Sequence, residues 1–125
     1  MWVISRARLR RFWESRSDDA ASAERTLVAW FKLAEGASWS NWGDLKQTFG
    51  TADRVGNCTV FDVGNNRYRV IGRVFFGKGR LYVLDVMDHA EYDKRDNKGR
   101  QKWIEQCGCN DPPPVTFGTR PIGRG

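Results

Sequence analysis

The sequence predicts an α+β fold, in which a short N-terminal strand and two or three helices pack on a small antiparallel sheet, followed by an irregular C-terminal tail. Three features point there. Apolar residues recur at helical spacing through the first 50 positions, alternate with a period of two from about 59 to 87, and lose all periodicity after Trp103. With 125 residues, 40% of them hydrophobic and 13% aromatic, the chain can bury one core but not two substantial ones.

Val3 and Ile4 suit a short first strand that runs directly into a helix over 6–13. There Leu9, Phe12 and Trp13 stand at i, i+3 and i+4 with arginines between them, giving one apolar stripe and a basic outer face. The polar run from Ser15 to Ser22 breaks that pattern. A second helix covers about 23–35; Leu27, Trp30, Phe31 and Ala34 form its stripe, with Val28 beside it, and Gly36 supplies the stop. A shorter helix over 42–49 ends at Gly50, and Trp39 and Trp42 anchor the segment around it.

From Asn57 the period becomes two. Strands are predicted over 59–63, 68–76 and 80–87, joined at Gly64-Asn65-Asn66 and Gly77-Lys78-Gly79, where glycine and asparagine supply the positive φ that tight turns need. The result is a three-stranded antiparallel meander. Residues 104–125 hold Pro112-Pro113-Pro114, Pro121 and several glycines, which predicts an extended or disordered tail outside a folded domain of residues 1–103. The tail is nearly neutral, so the basic character belongs to the folded part.

The net charge is +6, a field that draws in nucleic acid, anionic membrane or acidic protein. No stretch is long and apolar enough to span a bilayer or to serve as a signal peptide, so a cytoplasmic location is expected. Cys58, Cys107 and Cys109 are an odd set, and the one-residue gap between the last two suits neither a disulfide nor a structural zinc site. Free thiols are expected, with no metal and no cofactor.

Alternation along the central strand puts Tyr68, Val70, Val74 and Phe76 on one face. Arg69, Ile71, Arg73 and Phe75 fall on the other, with Arg67 just ahead of them in phase. Arginines at i and i+4 on one strand face are about 13 Å apart, enough to follow a single nucleic-acid strand. Asp85, Met87 and His89 alternate in phase with Leu81 and Val83, and His89 is the only histidine. Depending on register, it faces the arginines or away from them. Arginines on an open sheet face are often merely solvated or paired, here with Asp62 or Asp85, and a histidine at a strand end is often an ordinary surface residue. Asp88-His89-Ala90-Glu91-Tyr92-Asp93-Lys94 brings imidazole, carboxylates, phenol and amine together. Such groups can cut RNA by taking the 2′-hydroxyl proton, stabilising the phosphorane and protonating the leaving 5′-oxygen. The same segment also reads as a helix start, capped by Asp88 with Glu91 in the capping-box position.

Several motifs in order resemble the HigB branch of the RelE superfamily: Trp2-Val3-Ile4-Ser5, Ala29-Trp30-Phe31-Lys32, Val55-Gly56-Asn57, Thr59-Val60-Phe61, the hairpin through Gly64-Asn65-Asn66-Arg67-Tyr68-Arg69-Val70-Ile71, and Met87 to Lys94. They cover residues 1–103. The resemblance implies a RelE-like fold with its open sheet face holding RNA, and ribosome-dependent cleavage of translated mRNA, without metal, through a 2′,3′-cyclic phosphate. It also implies a HigA-like antitoxin with a helix-turn-helix as partner. On its matching positions Arg69 serves the scissile phosphate, His89 acts as general base or acid, and Tyr92 orients a base or shares proton transfer. Arg67, Arg73, Lys94 and Asn57 are implied as backbone contacts. Two departures stand out: the chain continues past the Tyr92-Asp93-Lys94 segment, and Asp88 replaces a common threonine, its charge favouring a proton-donating His89. Two alternatives are a non-catalytic RNA- or ribosome-binding protein of the same fold and a DNA-binding regulator. The latter lacks helix-turn-helix spacing.

Overall fold

A computed structural model describes residues 1–110. Its elements run β1 (Trp2–Ile4), α1 (Arg6–Glu14), α2 (Ala20–Gly36), α3 (Trp42–Thr48), β2 (Asp53–Val55), β3 (Cys58–Val63), β4 (Tyr68–Phe75), β5 (Arg80–Asp88), α4 (His89–Asp93) and α5 (Lys102–Gln106). The sheet has five strands in the order β1-β5-β4-β3-β2, antiparallel except for the parallel β1–β5 pair. The α+β architecture expected from periodicity is therefore present. The meander is its centre, extended by β1 on one edge and by β2 on the other. Among the described residues no helix is long and apolar enough to cross a membrane.

The helices cover one sheet face. Leu9 and Trp13 of α1, Leu27, Trp30 and Ala34 of α2 and Leu45 of α3 meet Phe61, Tyr68, Val70, Leu81 and Val83 in one buried core. Trp30, Phe49 and Phe61 pack as mutual ring neighbours at 5.2–6.1 Å. Asn65 and Asn66 hold positive φ in the β3–β4 turn, as does Gly79 before β5.

One irregularity decides what the other face carries. Ile71 pairs with Asp85 and Gly72 with Val83, so Leu84 has no partner opposite and β5 contains a bulge. Leu81 and Val83 before it, and Val86 after it, join the helix-side core, whereas Met87 turns to the opposite face beside Ile71. The expected in-phase series through 81, 83, 85, 87 and 89 is thus divided, because one extra residue reverses the alternation. Arg8 donates to the Leu84 carbonyl at 3.1 Å and satisfies the free edge. At Gly72 an added Cβ would come within 2.9 Å of the Tyr82 carbonyl oxygen, so the bulge tolerates no side chain there without a shift.

The second face is not fully open. Cys58, Val60, Ile71 and Met87 bury against Trp103 and Cys109, which lie in α5 and the turn after it. Residues 104–110, expected to begin an irregular tail, are instead folded; the remaining 111–125 lie outside the described residues. The expectation of free thiols is also corrected. Cys58 and Cys109 form a disulfide with Cα atoms 5.2 Å apart, and only Cys107 is free. A separation of 51 residues leaves no local sequence signal for that pair. Burial pushes the Cys107 thiol up to about 11, so it stays protonated near neutrality. The Asn57 amide donates to the Cys109 carbonyl at 2.6 Å, and Gly56 at φ +56° lets that carbonyl approach where a Cβ would collide with it.

Candidate active site

At the end of the sheet near the β3–β4 turn, Arg69 sits between two partners fixed by register: Asp62 opposite it on β3 and Met87 opposite it on β5. Its side chain emerges on the face away from α1 and α2. Arg69 Nε donates to Asp62 Oδ1 at 2.7 Å and Nη1 to the Asn66 carbonyl at 2.9 Å. Only 7% of the residue is exposed. The Tyr92 ring lies 4.7 Å from the guanidinium carbon, and Nη2 is directed at His89 Nδ1, 3.5 Å away. One edge of a held cation therefore faces the imidazole.

His89 opens α4 directly after β5. Its amide donates to the Arg67 carbonyl at 3.0 Å, which ties the helix start to the β3–β4 turn. Asp88 caps that start by accepting from the Glu91 amide at 2.8 Å, as the capping-box pattern predicts. The Asp88 carboxylate is otherwise turned to Arg16 at 2.9 Å. The expected Asp88–His89 pairing is absent; the carboxylate on the imidazole is that of Asp93, 2.9 Å from Nε2. A cap must point along the helix axis at its free amides, so Asp88 cannot also reach the neighbouring ring.

Tyr92 stacks on Trp103, with centroids 5.2 Å apart and planes 20° from parallel, and its carbonyl accepts from Gln101 Nε2 at 3.1 Å. Burial raises the phenol pKa, the nearby Arg69 charge opposing it only in part, so the hydroxyl is protonated at neutral pH. Trp103 comes from the segment read as the end of the domain, and no local pattern links it to Tyr92.

The other residues singled out from the sequence divide into two groups. Lys94 stays near the site, paired with Glu91 at 3.0 Å and largely exposed. Arg67 is exposed but lies in the turn rather than in β4. It leans to the helix side, donating to Ser22 Oγ at 3.1 Å, so strand alternation does not extend to it. A shallow depression of about 420 Å³ joins Arg67 and His89 with Arg16, Asp19 and Tyr68. Arg73 and Asn57 lie at the far end, against the C-terminal turn: Arg73 Nη2 donates to the Gly108 carbonyl at 2.7 Å, and Asn57 meets Cys109. The geometry joins Arg69, His89 and Tyr92, keeps Arg67 and Lys94 on the rim, and separates Arg73 and Asn57 from them.

Arg16, Asp62, Asp93 and Trp103 are the participants that the motifs did not single out as site residues. Asp62 carried a signal as a possible ion partner on the neighbouring strand, whereas Arg16 stood in a polar run with no periodicity. A larger concavity of about 520 Å³ lies among Arg95, Arg100, Gln101 and Glu105, and none of the Arg69, His89 and Tyr92 side chains line it. Among the described residues no cluster of three or more histidine, cysteine or carboxylate side chains could hold a metal ion.

A family model described as HigB toxin, RelE-like toxic component of a toxin–antitoxin system, matches residues 23–95. A protein named mRNA interferase HigB from Escherichia coli O6:H1 (strain CFT073) is 28% identical over 106 residues, covering 78% of this chain and 99% of that relative. The mRNA interferase toxin HigB of Escherichia coli K12 and the mRNA interferase HigB of Shigella flexneri are each 50% identical over 34 residues. Those two shorter matches span 27% of this chain and 33% of each relative's length.

Proposed function

We propose that this chain, which belongs to the family of HigB toxins, the RelE-like toxic components of toxin–antitoxin systems, is an mRNA interferase that cuts RNA with Arg69, His89 and Tyr92. The observation that carries this reading is the Arg69 guanidinium, held by Asp62 and the Asn66 carbonyl while Nη2 faces His89 under the Tyr92 ring. A cation fixed in this way is preorganised for a phosphorane rather than recruited to it.

Each step has a side chain suited to it. In this reading His89 gives Nε2–H to Asp93 and uses Nδ1, which is turned toward Arg69, as the general base. Nδ1 takes the 2′-hydroxyl proton, and the 2′-oxygen attacks phosphorus. The P–O5′ bond breaks and a 2′,3′-cyclic phosphate remains. Arg69 balances the charge on the equatorial oxygens. The protonated Tyr92 hydroxyl gives a proton to the departing 5′-oxygen, while its ring, between Trp103 and the Arg69 guanidinium, holds that hydroxyl in position. Every proton and charge is handled by a side chain, without a metal.

The substrate in this reading is translated mRNA on the ribosome, and the regulating partner is a HigA-like helix-turn-helix antitoxin. The net charge of +6 suits both a polyanionic substrate and an acidic inhibitor. Induced expression in a bacterial host with 5′-end mapping tests it. Growth arrest with new cuts inside translated messages, absent in Arg69→Ala and His89→Ala, is expected. Normal growth with intact messages from folded wild-type protein would overturn it.

A further inference from the structure

Trp103, the ring under Tyr92, is held from both sides along the chain. Upstream, Gln101 Nε2 donates to the Tyr92 carbonyl at 3.1 Å and the Lys102 amide to the Lys94 carbonyl at 3.0 Å. Downstream, the Cys107 and Cys109 amides donate to the Trp103 and Ile104 carbonyls at 2.9 Å, and the Cys58–Cys109 bond fastens that turn to β3. The segment from Lys94 to Cys109 is thus a strap, tied to the end of α4 and to the sheet. A helix as short as α5, with five residues, does not hold its shape without tertiary contacts. Trp103 and Cys109 are its fully buried residues on the second sheet face, and the helix-side core contains neither. Opening the bond therefore releases the strap while the helices and the sheet stay folded.

We infer that Trp103 is a positioning residue for Tyr92 and that the Cys58–Cys109 bond is a redox catch holding it there, so that the oxidised chain cleaves fastest. This rests on the RNA-cleaving reading and names a regulation of the same site. A dithiol gives the bond two electrons and two protons, leaving two thiols and its own disulfide. A small-molecule disulfide such as oxidised glutathione takes them back. Both sulfurs are buried, so the exchange waits on local opening of the turn after α5. In the reduced chain Tyr92 loses the ring that orients its hydroxyl, and the departing 5′-oxygen loses its proton donor. Arg69, gripped by Asp62 and the Asn66 carbonyl, keeps its place.

The test compares the oxidised full chain with the same chain treated with dithiothreitol and desalted under nitrogen, with thiols counted in each. Cleavage is timed on purified ribosomes carrying one defined message. Reduction should slow cleavage about tenfold, and oxidised glutathione should restore it. Cys109→Ser should be slow in both states, and Cys107→Ser should behave as wild type. Trp103→Ala should be slow and indifferent to reductant, with Trp103→Phe recovering part of the rate because a ring is kept. Tyr92→Phe separates positioning from general stability: it lacks the proton that the strap aims, so reduction should leave its residual rate unchanged. Equal rates in the two states, faster cleavage after reduction, or an equal slowing of Tyr92→Phe overturns the inference. So does a bond that dithiothreitol cannot open in the folded chain. Amide hydrogen exchange needs no cleavage: reduction should speed it over 101–109 and over 91–94 and spare the β4 amides. Loosening confined to 101–109 overturns the inference as well. A chain that loosens at both segments yet never cuts in either state refutes only the nuclease.

Discussion

Arg69 Nη2 lies 3.5 Å from His89 Nδ1 while Asp62 accepts from Nε of the same guanidinium at 2.7 Å. A lysine cannot do both, because its single ammonium has no planar fork. Arg69→Lys should therefore lower mRNA cleavage by about 100-fold, close to the loss in Arg69→Ala. Asp62→Asn, which keeps the shape but weakens the grip, should cost about tenfold in rate. Cleavage assays on translating extracts measure both, and an Arg69→Lys variant with near-normal rate would remove the positioned guanidinium from the mechanism.

His89 presents Nδ1 to Arg69 and Nε2 to Asp93. His89→Gln should reduce cleavage by about 100- to 10,000-fold. Asp93→Asn should have a smaller effect on rate. Asp88→Asn should act on stability instead, because that carboxylate caps α4 and pairs with Arg16 rather than with the ring. A rate loss from Asp88→Asn equal to that from His89→Gln would contradict this division of roles.

Tyr92 offers a ring to Arg69, and burial keeps its hydroxyl protonated. Tyr92→Phe keeps the stack on Trp103 and should bind RNA normally while cutting it about tenfold to 100-fold more slowly. Tyr92→Ala should lose binding as well. Equal rates for wild type and Tyr92→Phe would leave the residue a stacking role alone.

The Cys58–Cys109 bond closes a loop across 51 residues and pins α5 on the sheet. Cys109→Ser, or reduction with a dithiol, should lower stability by roughly 2–4 kcal/mol in the chain-entropy view of cross-links. Thermal unfolding with and without reductant measures this. Thiol titration of the unfolded, unreduced protein should count one free cysteine; three would show that the pair does not form.

Arg16 bridges Asp19 and Asp88 at 2.8 and 2.9 Å, and the Tyr68 hydroxyl also donates to Asp19. Hydrogen bonds from Arg16 and then Tyr68 hold the Asp19 carboxyl down at about 2, from an ordinary 3.8. The Glu91 amide, with a smaller share from Arg16, lowers Asp88 as well. Both are depressed in the folded state, so the unfolded chain binds more protons at mildly acidic pH. Their contribution is complete above the ordinary carboxyl value and is lost as pH falls through the lowered ones, which for Asp19 is about 2. In denaturant titrations at stepped pH, Asp19→Asn should flatten that acid limb and leave the neutral plateau nearly parallel to wild type.

The sequence by itself determined the class of fold and most of its elements, because burial imposes a period on any chain that achieves it. The stripe of Leu27, Trp30 and Ala34 requires a helix, and the run of β-branched and aromatic residues from Tyr68 to Phe75, bounded by turns, suits a strand. Asn65, Asn66 and Gly79 announce their turns by the backbone angles they tolerate. The resemblance carried by the motifs named Arg69, His89 and Tyr92 as a group. What tertiary structure alone decided is how these residues meet. The bulge at Leu84 reverses the alternation of β5, turns Met87 to the face of Arg69 and delivers His89 at its end. No periodicity records such an insertion, since its cause is a partner strand elsewhere in the chain. The packing of Trp103 under Tyr92 and the pairing of Cys58 with Cys109 are likewise contacts between distant segments. Arg73 and Asn57 carried the same charge and hydrogen-bonding signals as the site residues, and the C-terminal turn set them apart. Local patterns report the energy of burying one element, whereas register and docking depend on the shape of the surface it is buried against.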